Sequence, residues 1–192
     1  MIGNDIVDLK QAAKDSNWQR PRFLDKVFTA EEQQYIHKET NPFEMVWLLW
    51  SMKESAYKAY LQKEDVRFFN PKILVCKLIS KTEGYVSINK IKFKIQSKVT
   101  KGYIYSLAFQ EDPNFYKSKI FEVENANLGI QSNLNHNAIL KAFSDIKNVL
   151  FEDLKIKKNK IGIPKLFLKN EEQPDLFSMT HHGNYCAVVT CK

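Results

Sequence analysis

Three stretches hold residues that can do chemistry. "GNDIVDL" from Gly3 to Leu9 carries two carboxylates. "WSMKESAYKA" from Trp50 to Ala59 sets a glutamate among three lysine-and-tyrosine positions, Lys53, Tyr57 and Lys58. "FSMTHHGNYCAVV" from Phe177 to Val189 places two of the chain's four histidines behind a serine and a threonine. In an extended segment alternate side chains share a face, so Asp5 lies with Gly3 and Val7 while Asp8 points away. On a helical wheel of ~100° per residue, Val46, Trp50, Tyr57 and Leu61 form a narrow apolar arc. Glu54 and Lys53 fall inside it and Lys58 at its border. A carboxylate among large aromatics is unfavourable unless a cation or metal meets it. A Glu54–Lys58 helix pair without functional meaning is the plainer alternative. Brought together in space, Asp5 and Glu54 would make an oxygen-only pair of the kind that holds Mg²⁺ along with waters and phosphates. His181 and His182 are neighbours on a strand and point apart, which argues against a bridging metal.

These stretches need elements to position them. Residues 2–8 are rich in β-branched side chains and predict a strand. Thr29–Glu32 has capping-box spacing and opens a short helix to about Lys38. Asn41-Pro42 supplies a cap and an N1 proline for a long helix over 43–62. Strands are expected at 72–80, 84–96 and 103–109. Gln110–Asn114 then reads as a turn or linker. After it the order restarts: a strand at 119–124, an asparagine-capped helix over 135–151, strands at 154–157 and 165–168, and a last strand over 177–189. The repeated strand, helix, strands order predicts an α+β chain of two similar halves, 1–111 and 112–192.

Composition narrows the setting. The 192 residues carry 29 Lys+Arg against 22 Asp+Glu, a net charge of +7, which favours an anionic partner or simply solubility. Cys76, Cys186 and Cys191 have no metal-ligand spacing and read as free thiols of a reducing cytoplasm. The first ten residues do not read as a secretory leader, and no apolar run approaches the ~18 residues of a membrane span.

At these residues the chain resembles the 4′-phosphopantetheinyl transferases. Their acidic strand reads G-x-D, here Gly3-Asn4-Asp5. Their helix reads W-x-x-K-E-x-x-x-K, here Trp50, Lys53-Glu54 and Lys58. Their histidine strand reads S-x-[ST]-H, here Ser178-Met179-Thr180-His181. The order of the motifs is that of the short acyl carrier protein synthase type, which assembles as trimers. The length is closer to that of the surfactin-synthetase-activating type, a pseudo-dimer of two such halves. The resemblance therefore implies a monomeric pseudo-dimer with its site in the cleft between halves.

The same resemblance implies transfer of the phosphopantetheinyl group of coenzyme A to a serine of an apo acyl or peptidyl carrier protein, as in fatty acid biosynthesis, with no nucleic acid or membrane partner. Asp5 and Glu54 would hold Mg²⁺, Glu54 would take the serine proton, and Lys58 would meet the diphosphate. His181 would bind a phosphate of coenzyme A, with Ser178, Thr180 and Lys53 as further donors. Where the family often has G-K-P, this chain has Gly162-Ile163-Pro164, leaving Lys160 or Lys165 to replace the lysine. The second acid common in the longer type is Val7 here. Arg20, Arg22 and Lys26 form a basic cluster that suits an acidic carrier. The rival reading is a non-catalytic family member, or a basic domain binding an acidic protein or nucleic acid.

Overall fold

A computed structural model describes residues 1–64, 67–68, 70–111, 113–124 and 127–191. The β-branched N-terminal run forms strand β1 (Ile2–Asp8). The carboxylate of Asp8 ends the strand by accepting from the N–H groups of Lys10 and Gln11, which starts helix α1 (Leu9–Asp15). Helix α2 (Phe23–Val27) follows. The Thr29–Glu32 capping box opens α3 (Ala30–Lys38), and Asn41 caps the twenty-residue α4 (Pro42–Leu61). Strands β2 (Val75–Leu78), β3 (Glu83–Ile88), β4 (Ile91–Val99) and β5 (Tyr103–Phe109) complete a sheet in the order β1-β5-β4-β3-β2.

Next come β6 (Tyr116–Glu122), α5 (Leu128–Lys147), and a small sheet of β7 (Leu154–Lys158), β8 (Pro164–Leu168) and β9 (Glu171–Glu172). The final hairpin is β10 (Phe177–His182) and β11 (Tyr185–Cys191), which joins β6 in a third sheet ordered β10-β11-β6. All strand pairs are antiparallel. The architecture is α+β.

Four layers follow from the burial pattern. One face of the first sheet, with Val7, Ile104 and Ala108, packs on α4. Its other face, with Ile2, Ile6, Tyr105, Leu107 and Phe109, packs on Ala187 and Val189 of β11. The far face of that third sheet, with Val188, packs on Ile139 and Phe143 of α5. β1 is thus buried on both faces, although three of its seven residues, Asn4, Asp5 and Asp8, are polar.

Four expectations change. The segment 84–96 is a hairpin rather than one strand, because Asn89 adopts a left-handed conformation (φ 52°) that turns the chain. The segment 177–189 is likewise a hairpin, turned at Gly183 (φ 55°). Helix α5 starts at Leu128, capped by Asn127, and ends on left-handed Asn148; Asn135 lies inside it. Helices α1 and α2 and strand β9 carried no strong sequence signal. The turn expected at Gln110–Asn114 includes Asp112, which is outside the described residues. The three cysteines are free thiols. Among the described residues no helix is long and apolar enough to cross a membrane.

Candidate functional site

Two edge strands, β1 and β10, meet without a backbone ladder. The N–H groups along the open edge of β1 donate instead to side chains. Ile2 donates to Gln62 Oε1 (2.9 Å), Asn4 to Ser178 Oγ (3.2 Å), Ile6 to Thr180 Oγ1 (3.3 Å) and Asp8 to His182 Nδ1 (3.0 Å). The constant offset from Asn4–Ser178 to Asp8–His182 makes the strands parallel. It also means that β10 is regular: Ser178, Thr180 and His182 face β1, while His181 points outward and is exposed. The edge donors that would otherwise be left open are thereby satisfied.

This junction fixes Asp5. Its Oδ1 accepts from Thr180 Oγ1 (3.0 Å) and from Lys58 Nζ (2.8 Å), and Lys58 also donates to the Asn4 carbonyl (3.0 Å). Lys58 can reach because α4 lies directly on β1: a Cβ at Gly3 would collide with the Ser55 carbonyl and the Ala59 N–H. The glycine two residues before the aspartate is required by that close approach.

Glu54, one turn before Lys58, makes no hydrogen bond or ion pair among the described residues. It is half-buried, and its carboxyl is pushed up from 4.5 to about 7 by burial, then by the negative charge of Asp5, against the opposing pull of Lys58. The arc of Trp50, Glu54, Tyr57 and Leu61 lies at the edge of the core, with Leu61 buried and the other three part-buried. It lines two cavities. One of about 410 Å³ lies under Trp50, Tyr57, Phe68 and Leu74; another of about 260 Å³ lies between Lys58, Gln62 and the segment Gly162–Pro164 with Ser178 and Met179. Glu54 and Arg67 border both. The glutamate is thus aromatic-flanked yet open to a cleft.

The remaining expected residues divide. The partial desolvation of the outward-facing His181 lowers its pKa below the usual 6.5, assisted by Lys58 and His182 and opposed by Asp5. Thr180 donates a hydrogen bond to Asp5, and Ser178 accepts from β1 while bordering the smaller cavity. Lys53 corrects the expectation of a phosphate contact. It is fully buried, paired with Glu32 at 2.8 Å and bonded to the Pro71 and Leu74 carbonyls (2.9 and 2.5 Å), so its three donors are used. Lys165 leans towards Glu172 (3.7 Å) on the small sheet. Among the described residues no three His, Cys, Asp or Glu side chains gather as a metal site. Gln62 and Arg67 border the cleft without belonging to any motif.

Residues 1–109 match the 4′-phosphopantetheinyl transferase superfamily. The chain is 33% identical over 57 residues to a holo-acyl-carrier-protein synthase of Caldanaerobacter subterraneus, covering 30% of this chain and 44% of that protein. It is 34% identical over 58 residues to the synthase of the same name from Chlamydia felis, covering 30% and 48%. The chain therefore spans less than half the length of either relative. With its G-x-D strand set against its K-E helix, and a match over more than half its length, this chain belongs to the 4′-phosphopantetheinyl transferase superfamily.

Proposed function

We propose that the chain transfers the 4′-phosphopantetheine group of coenzyme A to a serine of an apo acyl or peptidyl carrier protein, releasing adenosine 3′,5′-bisphosphate. The observation that carries this reading is the Asp5–Lys58 pair beside an unpaired Glu54 at a two-sided cleft. The serine oxygen attacks the phosphorus attached to pantetheine, and that phosphorus gives up its bond to the adenosine-side phosphate. Glu54, with a carboxyl held near neutrality, is suited to take the serine proton, directly or through a water. Lys58 offers an ammonium to the diphosphate, and His181 faces outward beside it for a phosphate of coenzyme A. Phosphoryl transfer of this kind depends mostly on positioning and charge neutralisation.

The residues fit Mg²⁺. Asp5 keeps Oδ2 without a partner among the described residues, Glu54 is unpaired, and each carboxylate's charge is unfavourable to the other. Two carboxylates with water and phosphate are a usual Mg²⁺ donor set. Held by Asp5 and Glu54, Mg²⁺ would neutralise diphosphate charge.

The halves 1–111 and 112–192 are read as a pseudo-dimer. In each, the first strand pairs antiparallel with the last, β1 with β5 and β6 with β11, and a twenty-residue helix lies between. A monomer of 22.5 kDa in solution is expected, and a stable trimer would refute this. For the carrier, a cavity of about 470 Å³ walled by Phe23, Trp47 and Trp50 has Arg20 and Lys26 at its rim and adjoins the Glu54 cavity at Trp50. Basic groups over an apolar floor suit an acidic protein. The test is mass spectrometry of several apo carriers incubated with coenzyme A and Mg²⁺. Addition of phosphopantetheine, abolished in Glu54→Gln, supports the reading. No addition to any carrier overturns it in favour of a non-catalytic binding role.

A further inference from the structure

Only two cations border the cleft cavities among the described residues, Lys58 and Arg67. Lys58 is partly engaged: its ammonium sits 2.8 Å from Asp5 and 3.0 Å from the Asn4 carbonyl, which leaves one of its three donors for a diphosphate. Lys53 is buried against Glu32, and Lys165 is turned to Glu172. Arg67 is exposed, borders both cavities beside Glu54 and Tyr57, and has no carboxylate within ion-pair distance among the described residues. A polyanion entering the cleft beside two carboxylates meets one cation shared with Asp5 and one that has no carboxylate partner among the described residues.

The far wall is shaped around that second cation. Arg67 comes from the segment after α4, yet it rests on the turn between β7 and β8. Its Nη2 lies 2.9 Å from the position a Cβ would take at Gly162, whose φ of +80° already favours glycine. A side chain at 162 would displace the guanidinium. Glycine at this turn therefore leaves room for Arg67 to reach across the cleft.

We infer that Arg67 is a substrate-binding residue, gripping phosphate oxygens of the anionic substrate where the segment after α4 meets the β7–β8 turn. A guanidinium offers a planar, permanently charged fork that suits phosphate oxygens, which an ammonium at the same place does not reproduce. The inference rests on the phosphopantetheinyl-transfer reading for the identity of the ligand as coenzyme A, and on the cleft itself for its anionic character.

The test is calorimetric titration of the full chain with coenzyme A and, separately, with inorganic pyrophosphate, in the wild type, Arg67→Ala, Arg67→Lys, Gly162→Ala and the Arg67→Ala/Gly162→Ala double variant. Loss of a charge-assisted hydrogen bond predicts binding about 10- to 100-fold weaker in Arg67→Ala for both ligands, with Arg67→Lys between. Wild-type binding should also weaken more steeply with salt than that of Arg67→Ala. Gly162→Ala should weaken binding in the wild type and add less than about twofold in the Arg67→Ala background, because the two changes remove one contact. Thermal melts establish that each variant is folded. Equal affinities of wild type and Arg67→Ala for both ligands, or multiplying effects in the double variant, overturn the inference. Binding of pyrophosphate but not coenzyme A, still lost in Arg67→Ala, supports Arg67 while removing the transferase reading. Binding of neither ligand by the wild type overturns both.

Discussion

Replacing Glu54 by glutamine should make the metal-free protein more stable at pH 8 and leave it unchanged near pH 4.5. Glu54 is half-buried, unpaired among the described residues and close to Asp5, and its carboxyl is raised from 4.5 to about 7. A group whose folded pKa exceeds its unfolded one favours the folded state fully below the unfolded value and loses that contribution as pH rises through the folded value. Below 4.5 both carboxyls are neutral and glutamine is an isostere, so the two proteins should melt together. Above 7 the wild type carries a charge that the fold disfavours and the variant does not. At about 1.4 kcal/mol per pH unit the ceiling is ~3.5 kcal/mol, and partial exposure reduces it to an expected 1–2 kcal/mol, roughly. For a chain of this size that is a rise of about 2–4 °C in melting temperature per kcal/mol. Thermal unfolding by circular dichroism at pH 4.5, 6 and 8 with a chelator present measures it. Added Mg²⁺ should then raise the wild-type melting temperature more than that of the variant. A variant melting at or below the wild type at pH 8 would refute the claim that function has placed an unfavourable charge here.

Three other outcomes follow from the same contacts. Lys53→Met should destabilise by about 3–5 kcal/mol by stranding the buried Glu32 charge, and Glu32→Gln/Lys53→Met should recover most of the loss; a denaturant-based double-mutant cycle that came out additive would show the pair is not coupled. Thr180→Val removes both the hydrogen bond to Asp5 and the acceptor of the Ile6 N–H, and should cost about 1–3 kcal/mol by chemical denaturation. His181→Ala should leave the melting temperature within about 1 °C, because the side chain faces outward, while raising the Michaelis constant for coenzyme A in the carrier assay.

How much of this could be read beforehand depends on whether a contact is local. The face shared by Gly3, Asp5 and Val7 follows from strand alternation, and in the structure that face does meet α4. The caps at Thr29 and Asn41 are local and lie where their spacing put them. The wheel grouped Lys53 with Glu54, yet a wheel cannot say which neighbour each residue meets. Glu32, at the third position of a capping box, turns its carboxylate inward to Lys53 and the Cys76 N–H, and that contact joins residues far apart in the chain. Likewise Ser178 and Thr180 resemble phosphate donors in their motif, and their first task is to accept the β1 N–H groups across an offset of 174 residues. No periodicity encodes that register. It arises because two edge strands with unpaired donors meet, and hydroxyls of the right reach stand on alternate positions of one of them. The same hydroxyl that closes the junction then donates to Asp5. The stability of the seam between β1 and β10 and the orientation of the Asp5 carboxylate are therefore one set of hydrogen bonds, so variants that loosen the seam should disturb Asp5 before they unfold the chain.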